Sequence, residues 1–254
     1  DEVDIPEIVR EETRVKAINT VQKAFQNFHI THKLDVEVLK KTADSILEEV
    51  ILNRNAMIHL TEIRTHDDYT FAHSVNVCVL SVLIGLAVGY NDYKLRELSL
   101  GALLHDIGKI GLPKSILNKP DKLNEEEMQI IKSHPEIGFN LLRKQYRELS
   151  LLAMHVAFQH QERYDGTGYP RKLSEHQIHE YARIVTIADV FDALTSDRPY
   201  RKGMLPNEAY EILVASGGTH FDTDILKIFL RNIAVYPVGS VVELSSGEIG
   251  IVLK

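Results

Sequence analysis

His105 and Asp106 stand side by side at the end of an apolar-periodic run, within Ala102–Gly111 (ALLHDIGKIG). An imidazole beside a carboxylate at a helix end can share one divalent metal, and the carboxylate keeps a second oxygen for another ion. Gly108 is expected to let the backbone turn sharply there, and Lys109 to bring a cation to the same place. A His-Asp pair alone says little, because most such pairs are simply solvated. Its weight comes from partners elsewhere. His73 opens an apolar run, His134 precedes Pro135 at a helix start, and His160 ends a helix beside a glycine-containing loop. Asp189 sits among apolar neighbours in Tyr181–Leu194, where a lone charge would be costly. Ligands this far apart in the chain meet only if several helices converge, so the fold has to be built around them. Imidazoles and carboxylates without a thiolate suit iron, manganese or zinc and disfavour calcium, which seeks oxygen. The chemistry fits a metallohydrolase.

The rest of the chain reads as helices joined by short loops. Ile8 to Arg64 has apolar residues at three- and four-residue steps, broken by a loop around His29–Asp35, with Asp35 placed to cap the second helix. The longest apolar run, Val77–Val88, reads as a buried helix ended by Gly89 and is too short for a membrane span. Asn124–Glu127 has the capping-box pattern, Pro206 starts a helix, and Asp222 caps the last one. The tail around Ser246-Gly247 alternates like a hairpin. His155 and His220 are expected to be packing or surface residues rather than ligands, and Glu162, Arg163 and Asp165 to pair within their loop.

Hydrophobic residues make up 44% and charged residues 26%, an ordinary globular balance. The net charge of −7 argues against a nucleic-acid polymer or an anionic membrane as partner. Cys78, the single cysteine, excludes a disulfide framework and lies in an apolar run as an inert thiol. No signal peptide is evident. Opening at Asp1 and closing at Lys254, the chain is expected to be a cytoplasmic piece of a longer protein.

The ordered motifs carry a resemblance. His73, then His105-Asp106-Ile-Gly-Lys109, then His134, then His160-Gln161-Glu-Arg-Tyr-Asp165-Gly-Thr-Gly168-Tyr169-Pro170, then Asp189 resemble the HD-GYP family, as does Asp192 through Arg198 to Arg201. The resemblance runs from about Tyr69 to Arg231. It implies an all-α fold: an HD-domain helical bundle over 65–233, an amino-terminal helical segment over 1–64 as scaffold or linker, and a short carboxy-terminal β-hairpin over 234–254. It also implies a cyclic di-GMP phosphodiesterase with two divalent metals, iron or manganese first, with zinc and nickel also compatible. His73, His105, Asp106 and Asp189 would hold the first ion, and Asp106 would bridge to a second held by His134 and His160. Lys109 would stand near the scissile phosphate, and Tyr169, Pro170, Asp192, Arg198 and Arg201 would contact the nucleotide.

Two positions depart from the family's fullest pattern. Gln161 stands where a second adjacent histidine is common, and Tyr69 where relatives with a third metal carry a glutamate. Two ions are therefore expected. A metal-bridging hydroxide would attack phosphorus in line, giving linear pGpG and, after a second cut, GMP. Enzymes of the wider HD superfamily acting on deoxynucleotides or guanosine tetraphosphate have no use for the Gly-Tyr-Pro loop. The alternative is a receptor that binds cyclic di-GMP without cleaving it and signals through partner proteins. The amino-terminal helices would suit a homodimer contact, or a link to a missing sensor domain or a diguanylate cyclase partner.

Overall fold

A helix apolar on every side must be surrounded, and α3 (Tyr69–Val88) is such a helix. Its stretch Phe71–Val88 is long and apolar enough to cross a membrane, yet 72% of it is buried inside the bundle. It begins earlier than the Val77–Val88 run, because His73 and Asn76 interrupt the apolar pattern without ending the helix. The computed structural model describes residues 8–31, 33–53, 69–119, 121–145, 147–197, 201–236 and 239–252.

Around α3 lie α1 (Glu11–Thr31), α2 (Val36–Leu52), α4 (Asp92–Leu103), α9 (Glu180–Thr195) and α11 (Thr223–Leu230). α8 (Leu151–Gln159) packs on α4 and α9, and α7 (His134–Arg143) on α8. A 3-10 turn, Ile107–Gly111, leads from α4 into the short α5 (Lys114–Leu117) and α6 (Glu125–Ile131), and α10 (Pro206–Ala215) packs on α9. The carboxy-terminal strands β1 (Val241–Glu243) and β2 (Ile249–Ile251) pair antiparallel, Val242 opposite Gly250, as the hairpin pattern predicts. The all-α bundle with a short terminal hairpin is the architecture expected from the motifs.

Local signals set the helix ends. Asp35 accepts from the Val38 amide at 3.1 Å, Asn124 and Glu127 close the capping box, and Asp222 accepts from the Asp224 amide at 2.9 Å. Gly89 adopts φ +90° where α3 stops. The expected division at residue 64 lies outside the described residues. Val21 and Phe25 of α1 and Leu39 and Ile46 of α2 join the same buried cluster as Leu80, Leu98 and Ile187. Glu49 of α2 fastens the start of α1. Its carboxylate accepts from the Arg10 amide at 2.8 Å, the Arg10 guanidinium at 2.6 Å and the Thr13 hydroxyl at 2.7 Å. Burial would raise the Glu49 pKa, but Thr13 and Arg10 outweigh it and hold it below the usual value. Cys78 is buried, with its thiol on the Ser99 carbonyl and its pKa pushed up by burial.

Gly108 serves a purpose other than the sharp turn expected of it. Its φ is not in the left-handed region, but a Cβ there would lie 1.9 Å from the His134 carbonyl oxygen and 2.6 Å from the Gly138 nitrogen. Glycine is needed because two backbones, the 3-10 turn and the start of α7, touch at this point.

Candidate metal centre

Three of the four histidines are aimed by the same local device. In each, Nδ1 faces a backbone carbonyl three residues earlier: His105 on Ala102 at 2.7 Å, His134 on Ile131 at 2.7 Å, and His160 on Ala157 at 3.1 Å. A carbonyl only accepts, so Nδ1 carries the proton and Nε2 is left with its lone pair turned inward. His73, one turn into α3, uses a carboxylate instead: its Nδ1 donates to Asp192 at 2.6 Å.

The four Nε2 atoms converge on Asp106, and its two oxygens divide them. Oδ2 faces His105 at 3.4 Å and His73 at 3.9 Å, whereas Oδ1 faces His134 at 3.4 Å and His160 at 3.6 Å. Asp189, from the middle of α9, stands 3.1 Å from His73 Nε2. His73, His105 and Asp106 form one ligand set; Asp106, His134 and His160 form another; and His105, His160 and Asp189 form a third that overlaps both. The six residues read from the sequence as ligands are thus brought together, and all but Asp189 are nearly inaccessible.

Do these residues fit a metal? His134 Nε2 and His160 Nε2 lie 3.1 Å apart, and both are lone-pair atoms once each Nδ1 carries the proton. Asp106 Oδ1 and His105 Nε2 are buried without a hydrogen-bond partner. Lone pairs pressed together in a dry site repel one another unless a cation sits among them. The donor set is nitrogen and oxygen, with no thiolate, which suits a divalent transition metal. Charge tells the same story. Burial holds the His134 pKa down to about 3, a neutral ligand. Burial opposes ionisation of Asp106, but Lys109 and His105 overcome it and keep the carboxylate charged well below its usual pKa. For His73 burial is outweighed by Asp189 and Asp192, which raise it to about 10, so that without metal a proton takes the cation's place.

Lys109 lies against Asp106, its ammonium 2.5 Å from Oδ2, and remains one-third exposed. Tyr169 follows Gly168, whose Cβ would strike the Arg163 nitrogen at 2.3 Å, so glycine lets the loop fold back on α8's end. The Tyr169 hydroxyl donates to Gln161 Oε1 at 2.9 Å, and Gln161 donates in turn to Asp189 at 3.3 Å. Gln161 therefore links the loop to Asp189. The Tyr169–Pro170 bond is cis. Glu162 grips the loop by accepting from the Arg171 and Leu173 amides at 2.8 and 3.0 Å, and Asp165 closes on Thr167.

Asp192 differs from the expectation of a nucleotide contact. It is fully buried, and its carboxylate is filled by His73, Asn76 at 2.9 Å and Ser196 at 2.9 Å. One oxygen aims His73, and the other is taken up by Asn76 and Ser196. Asn76 and Ser196 were not singled out from the sequence, although Asn76 follows His73 by three and so shares its helix face. Arg201 is exposed, its guanidinium on the Ala193 carbonyl at 2.5 Å. Arg198 lies outside the described residues, as does the side chain of Tyr69. His155 packs on Phe139 and His220 stacks on Phe221, as expected.

A family model described as HD domain matches residues 48–225. The chain belongs to the HD-domain family. This HD-domain chain is 39% identical over 242 residues to a cyclic di-GMP phosphodiesterase of Pseudomonas aeruginosa, covering 95% of the chain and 58% of that relative. It is 34% identical over 221 residues to a cyclic di-GMP phosphodiesterase of Thermotoga maritima, covering 84% and 59%. The chain spans little more than half the length of these relatives. An HDG"Y"P protein from Bdellovibrio bacteriovorus shares its fold with a TM-score of 0.72 at 24% identity, over 91% of this HD-domain chain and 74% of that one. The motif resemblance to HD-GYP proteins agrees with these relatives.

Proposed function

We propose that this chain is a metal-dependent phosphodiesterase that hydrolyses cyclic di-GMP to pGpG, GMP or both. The observation that carries the reading is the divided carboxylate of Asp106, one oxygen turned to His73 and His105 and the other to His134 and His160. His73, His105, Asp106 and Asp189 would hold one ion, and Asp106, His134 and His160 a second, iron or manganese in each case. Bound there, the pair supplies an acidified water for attack on phosphorus and positive charge for the phosphate oxygens.

The chain's own groups do the rest. Lys109, partly exposed beside Asp106, is free to swing its ammonium to a phosphate oxygen once a metal neutralises the carboxylate. Asp192 holds His73 in the tautomer that leaves Nε2 inward, and three backbone carbonyls do the same for the other rings. Tyr169, held by Gln161, walls the site beside His134, their rings 6.3 Å apart. Arg201 supplies an exposed cation for the remaining phosphate, and the motif assigns Arg198 the same role.

The test is metal analysis of protein purified without added metal, paired with chromatography of cyclic di-GMP products. We expect two metal equivalents and turnover in the native chain, and loss of both in Asp106→Ala. Undiminished turnover by metal-stripped protein would sink the reading.

A further inference from the structure

A cavity of about 360 Å³ opens beside the metal ligands, and the motif-bearing helices build only part of it. Asp106 and Lys109 form one wall. α1, the amino-terminal helix expected to be scaffold, also lines it, contributing Gln22, Phe25 and Gln26. Gln22 and Gln26 are four residues apart and so share one face of that helix. Phe71 of α3 also lines the cavity and meets Phe25 edge to face, ring centroids 5.7 Å apart. Apart from Asp106 this lining contains no carboxylate.

We propose that this cavity is a nucleobase subsite, taking one purine of the dinucleotide while the adjoining phosphate lies at Lys109 and the Asp106 metal centre. The inference rests on the phosphodiesterase reading and names where specificity is exercised. A carboxamide offers both a donor and an acceptor, which suits a purine edge carrying both. A partly exposed phenyl ring offers an apolar face for the base plane. The volume falls at the small end of the range for small-molecule sites, roughly 300–1,000 Å³, enough for part of a dinucleotide. α1 is then part of the recognition apparatus.

The test compares guanosine 5′-monophosphate with ribose 5-phosphate, which keeps sugar and phosphate but lacks the base. Affinities of both are measured calorimetrically on manganese-loaded protein, for the native chain, for Gln26→Ala and for Gln22→Ala/Gln26→Ala. Two amide contacts are worth about tenfold in affinity, so the base should give the native chain at least that advantage, and the double variant should lose it. Alanine suits a helix better than glutamine, so α1 should keep its structure, and the single variant at the exposed Gln26 gives a second reading. In cyclic di-GMP turnover the same variants should raise KM about tenfold and leave kcat in place. A base advantage that survives the double substitution, or is missing from the native chain, overturns the subsite. Absent cyclic di-GMP turnover with the base advantage present, and lost on substitution, upholds the subsite and overturns the phosphodiesterase reading alone.

Discussion

Gly108→Ala should damage half of the metal centre from a distance. The added Cβ would lie 1.9 Å from the His134 carbonyl oxygen, where ordinary contact begins at 3.4 Å, so the start of α7 must retreat by about 1.5 Å. No side-chain rotamer can absorb this, because the clashing atoms are backbone. Overpacking of this kind costs about 1–3 kcal/mol, and backbone against backbone belongs at the upper end. For a chain of this size about 3 kcal/mol lowers Tm by roughly 6–12 °C. The functional effect is sharper, since metal–nitrogen distances tolerate only about 0.2 Å and His134 rides on the segment that moves. We expect metal content to fall from two equivalents towards one, with the His73, His105 and Asp189 side retained. Calorimetric unfolding and elemental analysis read both effects. Gly111→Ala is the control, since its Cβ meets the movable Ile137 side chain, and it should cost less on both counts. Native Tm and full metal content in Gly108→Ala would refute the argument.

Asp192→Ala removes the acceptor that aims His73 and should lower metal affinity about 10–100-fold in a chelator competition; a rise in KM for cyclic di-GMP with metal affinity intact would instead put Asp192 at the nucleotide. Gln161→His restores a second adjacent imidazole beside Asp189 and should raise metal content from two towards three by elemental analysis; a count fixed at two would show that Gln161 does not set it. Glu49 has a folded-state pKa below its ordinary 4.5, so its stabilising effect is complete above that pH and is lost as pH falls through the folded value. Glu49→Gln should therefore lower Tm at pH 7, with the gap to the native chain closing below about pH 4.5; a gap independent of pH would count against a charge-based role.

Helix ends were legible because they are written locally, and the candidate ligands because each stands near a helix end or as a polar group in an apolar helix. Asp35, Asn124 and Asp222 cap through amides two or three residues on, and His134 is marked by the proline after it. Gly108 was legible as important but not for its reason, since the backbone it meets lies in another helix. The burial of Asp192 was not legible, because nothing in Asp-Ala-Leu-Thr-Ser tells a buried carboxylate from an exposed one until α3 brings His73 and Asn76 against it. The α1 wall was invisible for a similar reason. Glutamines on a helix look like a solvated face until the helix is docked beside a ligand.

The carbonyl grip on three of the rings makes register the quantity that this centre guards. His105, His134 and His160 each borrow their aim from a peptide group three positions upstream. Slipping any of them by one place along its segment would rotate the ring by about 100° and surrender that partner at the same time. Loops between these segments can lengthen or shorten without touching the aim of a single ring, whereas one residue inserted between Ala102 and His105 disarms it. The centre is thus portable in pieces, each piece a helical turn with its histidine, and brittle only inside them.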